Sequence, residues 1–173
     1  CTEVSAANIG ETVTVMGWVQ TRRNLGALIF VDLRDRSGIL QILFDENTVG
    51  SEGFKKAYGI RNEYVIAVVG KVQKRSGAVN ENLKTGDIEV VAEQIRVLSE
   101  SETPPFPIEE NINTKEDLRL KYRCLDLRRP DLQSNIMMRS KVATLTRAFL
   151  ANEGFLEIET PVLTKCTPEG ARE

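Results

Sequence analysis

Phe30, Gln41 and Glu89 are the residues whose types and positions could act together. Strict alternation over residues 27–34 puts Ile29, Val31 and Leu33 on one face of a strand and Leu28, Phe30, Asp32 and Arg34 on the other. By the same rule Leu40, Ile42 and Phe44 face inward with Gln41 outward, and Ile88 and Val90 alternate with Glu89. A ring, a carboxamide and a carboxylate would then share an outer surface. The ring could stack on an unpaired base for about 1–3 kcal/mol. The amide and the acid could hydrogen-bond base edges and so tell one base from another. Arg22 and Arg23, read as the turn after a first strand, could hold phosphates. The same residues also fit ordinary roles: an outward phenylalanine packed under a loop, and arginines solvated in a turn.

Composition removes other chemistries. The 173 residues contain no histidine, which excludes Ser-His and Cys-His catalysis and any histidine-containing zinc site. Cys1, Cys124 and Cys166 are too far apart for a metal knuckle and odd in number, so they are expected to be reduced thiols of a cytoplasmic protein. No apolar run approaches the roughly 20 residues of a membrane span, and no signal peptide is visible. Net charge is −2, yet nine basic residues face four acids between Lys115 and Arg147. That stretch fits either a solvated helix face or a phosphate-contacting surface.

The elements that must position the trio follow from periodicity. Residues 12–20, 27–34, 38–44, 64–72 and 88–98 read as five strands, with a helix over 51–61 between the third and fourth. Three strands, a helix and two strands is the order of an OB-fold, a small barrel that often binds single-stranded oligonucleotides. Three prolines in Pro104-Pro105-Phe106-Pro107 mark a linker. Thr114 to Asp117 has capping-box spacing for a short helix beginning near Lys115. Met138, Val142, Leu145 and Phe149 share one side of a helix after Pro130 that Gly154 would end, and an alternating strand should follow. The fold is therefore expected to be mainly β, with an OB barrel over 1–100, a hinge over 101–130 and the opening of a second domain over 131–173. The missing initial methionine and the break inside that domain lead us to expect a piece of a longer chain.

Several runs resemble bacterial aspartyl-tRNA synthetases: Gly17 to Gly26, Ile29 to Arg36, Thr85 to Glu89, Leu120 to Arg129 and Thr167 to Arg172. Gly154 to Leu163 is similar to motif 1 of class II synthetases, a pattern of the class rather than of one amino acid. The resemblance covers the whole chain. It implies an anticodon-binding OB-fold, a hinge, and the first helix and strand of a truncated α+β catalytic domain.

Carried over by position, it makes Phe30 the platform under the central anticodon base, Gln41 its reader, and Glu89 the carboxylate facing the first base. Arg23, Asn24 and Asn80 would contact the anticodon loop. Pro161 would lie in a homodimer interface, and Glu169 would meet the ammonium of substrate L-aspartate. Leu25 resembles the form found in enzymes restricted to aspartate tRNA. Thr21 and Asn24 depart from the usual arginine and aspartate, Cys124 from tyrosine and Glu173 from aspartate.

The reaction so implied activates aspartate with ATP, aided by Mg2+, and transfers it to tRNA(Asp). Motifs 2 and 3 are not in this chain, so it should bind without catalysing and should itself hold no ATP or metal. A lysyl- or asparaginyl-type relative and a stand-alone OB module are the competing readings. Without a following sheet, the apolar helix face would be left open and favour self-association.

Overall fold

The computed structural model describes residues 1–163, which divide into one unit over Cys1–Pro105 and a second from Phe106 onward. The first unit contains five strands: β1 (Thr12–Asn24), β2 (Leu28–Arg34), β3 (Ile39–Asp45), β4 (Val65–Lys74) and β5 (Ile88–Ser99). A helix, α1 (Glu46–Gly59), joins β3 to β4 and packs against β5 and β3. The strands close a barrel in the order β1-β2-β3-β5-β4.

Closure depends on the length of β1. Its first half pairs antiparallel with β4 (Thr12 opposite Lys71) and its second half with β2 (Asn24 opposite Ile29), with a register shift between Val19 and Thr21. A bulge of this kind increases twist and lets one strand turn between two neighbours. The last seam is parallel, β3 to β5, at Ile42 opposite Val90 and Leu43 opposite Val91.

The barrel is filled as alternation requires. Ile29, Val31, Leu33, Leu40, Ile42, Phe44, Ile88 and Val90 have no or negligible exposure and belong to one core cluster. Gly70 sits where β4 shifts register against β5, and a Cβ there would overlap the Val91 carbonyl. We expect Gly70→Ala to destabilise the barrel by about 1–3 kcal/mol, the usual cost of overpacking. A urea midpoint equal to that of the parent chain would contradict this.

Two local expectations are corrected here. The helix begins at Glu46 rather than near residue 51, because the Asp45 side chain caps it by accepting from the Asn47 N–H at 2.9 Å. Gly50, at φ +74°, kinks it into two helical segments, of which the second, from Ser51 on, is the one the sequence pattern shows. The strands also run further than read. β1 extends to Asn24, so Arg22 and Arg23 lie in a strand and not in a turn.

The second unit carries α2 (Glu116–Lys121), α3 (Arg123–Asp126) and α4 (Pro130–Asn152). The capping box at Thr114 does not form: α2 is flanked by Lys115 and has no side-chain cap. Helix α4 starts on Pro130, whose fixed φ and missing N–H suit the first turn. It ends as a Schellman motif, with Phe155 N–H on the Leu150 carbonyl, Gly154 N–H on that of Ala151, and Gly154 at φ +85°.

Met138, Val142, Leu145 and Phe149 on α4 are 55–64% exposed. The alternating segment after Gly154, expected to be a strand, is not one: none of its residues up to Leu163 pairs with a sheet edge among the described residues. Extended backbone becomes a strand only when its N–H and C=O groups meet a partner.

Candidate nucleic-acid interface

The outer face of β2, β3 and β5 carries the site. Asp32 lies opposite Gln41 and Phe30 opposite Leu43, which places Phe30 and Gln41 on the same side, away from the core. Phe30, Gln41, Arg23 and Leu25 line a concavity of about 280 Å³ whose other wall is Arg75 to Ala78, from the connection leaving β4. Phe30 is half-buried, with ring surface available to the concavity.

Gln41 is only 4% exposed, and its carboxamide is held at both ends. Its Oε1 accepts from Arg75 Nη2 at 2.6 Å and from Arg23 Nη2 at 3.2 Å, while its Nε2 donates to Glu89 Oε2 at 2.8 Å. Two guanidiniums can meet only an oxygen and a carboxylate only an N–H, so the amide has one orientation.

Glu89 faces the expected side but is not open to solvent: its residue is fully buried. Besides Gln41 it accepts from Gln73 Nε2 at 2.9 Å and from the Ser76 backbone N–H at 3.1 Å. Alternation predicts the face of a strand and says nothing of what covers it. The cover here is the connection between β4 and β5.

That connection is a built turn. Asn80 accepts from the Asn82 N–H through Oδ1, its own N–H bonds the Gly86 carbonyl, and a Cβ on Gly86 would overlap the Asn80 carbonyl. Asn80 is half-buried there and does not line the concavity.

The arginines divide. Arg23 Nη2 reaches Asp32 at 3.1 Å as well as Gln41, and its side chain is 52% exposed. Arg22 is not on this face: its guanidinium donates to the Tyr58 carbonyl at the end of α1 and lies 5.4 Å from the Tyr58 ring centroid. Neighbouring residues of one strand point to opposite sides, so the two cannot both serve one surface. Asn24 ends β1 and accepts from the Gly26 N–H at 3.0 Å, holding the tight turn that presents Leu25 at 71% exposure.

In the second unit, three of the basic residues gather on one buried acid. Asp126 is fully buried and bonds Arg123 at 2.6 Å and Arg129 at 3.1 Å, with Arg119 at 3.9 Å. Arg129 also meets Asp131 at 2.7 Å. The positive excess is thus partly structural. Pro161 is exposed, whereas Glu169 lies outside the described residues.

Sequence reasoning overlooked Arg75, Gln73 and Ser76. The signal for Gln73 was its register opposite Glu89, which depends on a shift between Val69 and Gly70 invisible in the sequence.

Comparison with known proteins agrees with this fold. The family described as OB-fold nucleic acid binding domain matches residues 13–98, and tRNA synthetases class II (D, K and N) matches residues 115–173. An aspartate-tRNA ligase of Agathobacter rectalis is 73% identical over all 173 residues. The chain belongs to the aspartyl-tRNA synthetase family.

An aspartate-tRNA(Asp/Asn) ligase of Lachnoclostridium phytofermentans is 72% identical, also over the full chain. The chain spans 29% of the length of each of these two synthetases. The solved aspartyl-tRNA synthetase of Entamoeba histolytica is 26% identical, with a TM-score of 0.83 over 93% of this chain and 38% of its own. An OB barrel followed by class II helices is therefore the shared architecture of this synthetase region.

Proposed function

We propose that the barrel binds the anticodon loop of tRNA(Asp) within an aspartate-tRNA ligase that activates L-aspartate with ATP and passes it to the tRNA. The observation that carries this reading is the half-buried Phe30 ring beside the Gln41 carboxamide in one concavity, with Arg23 at its edge. A splayed base would stack on the ring and meet the amide with its edge, and Arg23 would neutralise a neighbouring phosphate. Asn24, at the end of β1, and Asn80, in the connection between β4 and β5, would contact the flanking nucleotides. Glu89 holds the Gln41 amide and would face the first anticodon base.

Residues 1–100 would form the RNA-binding domain, 101–130 the hinge and 131–173 the opening of the catalytic domain. The open apolar face of α4 and the segment through Pro161 would be covered by the rest of that domain and a second subunit. Glu169 would pair with the aspartate ammonium. Among the described residues no cluster of three or more His, Cys, Asp or Glu could hold a metal ion. Nor is any described helix long and apolar enough to cross a membrane, and the proposed site of action is the cytoplasm.

The test is binding to RNA hairpins. A hairpin with loop sequence GUC should bind roughly tenfold or more tightly than one with its central base changed, the worth of a hydrogen bond to a correctly placed edge. Equal affinity for an unrelated loop would overturn the reading.

A further inference from the structure

The barrel has a second outer face, where β1 pairs with β4. Alternation turns Val15 and Val19 into the core and leaves Met16 58% and Trp18 43% exposed. Met16 lies opposite Ala67 and Trp18 opposite Val65, and across β4 the same two rows continue to Arg96 and Ser99 on β5. The row of Thr14, Val69 and Gln94 completes a field of three rows of three, none of whose residues is acidic. Lys71, opposite Thr12, stands in the row beyond. Arg96 and Lys71 are exposed and make no ion pair among the described residues. An indole ring, a methionine and an arginine with no carboxylate among them match the core of a protein–protein contact rather than ordinary surface.

Size and charge say what fits. With strands about 4.8 Å apart and outward residues about 6.7 Å apart along each strand, the three rows cover roughly 300 Å². A stable contact between folded proteins takes about 800 Å² from each side, so a globular partner, a second copy included, would be held too weakly. A short segment suits the area. β4, the middle strand of the field, is paired along both edges, so a segment lying over it is held through side chains and not added as a strand. Arg96 and Lys71 stand two rows apart, about 13 Å along the strands, which is the reach of four residues of extended chain. Two carboxylates at that spacing would meet both cations.

We propose that this face docks a short acidic, apolar segment of a partner protein, its apolar side chains on Trp18 and Met16 and its two acids on Arg96 and Lys71. The face lies apart from the concavity around Phe30, and its role does not depend on the anticodon reading.

Trp18 is the one tryptophan in the sequence, so tryptophan emission reads this face alone. The experiment selects a phage-displayed library of random dodecapeptides on the full 173-residue chain and titrates the winning peptides, synthesised with a fluorescent label. The winners should carry two acids about four residues apart around apolar residues, and their binding should move Trp18 emission to shorter wavelength. Trp18→Ser should weaken binding at least tenfold by anisotropy, roughly the worth of a central aromatic anchor, and it should fold because Trp18 lies outside the core cluster. Arg96→Glu, which keeps the emission reporter, should also weaken binding about tenfold, and lysine in place of the matching peptide acid should recover most of the loss.

Three results would each overturn the proposal: no peptide selected, winners without acids, or winners that leave Trp18 emission unmoved. A GUC hairpin that shifted Trp18 emission and displaced the peptides would make the face an RNA surface and overturn it as well.

Discussion

Replacing Phe30 with alanine is expected to weaken binding of a GUC hairpin by about 1–3 kcal/mol, roughly 10–100-fold, the value of one base stacked on an aromatic ring. The loss should be nearly the same for hairpins with U or C at the middle position, because a ring face accepts any base and, on the proposed reading, discrimination rests with the Gln41 edge. It should also leave the slope of affinity against salt unchanged, since no charge is removed. The barrel should remain folded, because Phe30 lies on the outer face and the core cluster does not include it. Fluorescence anisotropy with labelled hairpins reads the binding, and a urea curve reads the fold. Unaltered affinity would remove the ring from the interface.

The face carrying Phe30 was legible because strand geometry is local. The buried set Ile29, Val31, Leu33, Leu40, Ile42 and Phe44 follows from a two-residue period, and so does the outward direction of Phe30, Gln41 and Glu89. What lay over that face was not legible. Glu89 is enclosed because residues 75–87 fold back across it, with contacts to Gln73 and the Ser76 N–H that depend on a register shift and on a turn closed at Gly86.

Arg22 shows the reverse error. Its charge suggested phosphate, but a residue beside Arg23 in one strand must point to the other side, where the Tyr58 carbonyl meets it. Propensity alone also misplaced helix ends. Asp45 is a strong cap at a strand end, and the expected cap at Thr114 makes no side-chain bond. The alternating segment after Gly154 has the pattern of a strand without a partner among the described residues, and pattern does not supply hydrogen bonds.

Phe44→Ala is expected to produce the opposite result from Phe30→Ala, although both replace phenylalanine with alanine on adjacent antiparallel strands. Phe44 is fully buried, lies opposite Ile29 on β2 and belongs to the barrel's core cluster. Truncating a buried phenylalanine costs about 3–5 kcal/mol, from lost transfer energy and the cavity left behind. Set against the 5–15 kcal/mol typical of a whole domain, that is a large share. The urea midpoint should fall steeply with little change in slope. Where the variant is still folded, its hairpin affinity should match the parent's, because Phe44 points into the barrel core and away from the proposed RNA surface. A small stability loss for Phe44→Ala with a large affinity loss would mean that the two rings had exchanged faces. A one-residue slip of register would do just that, so this pair of variants tests the strand alignment and the binding surface together.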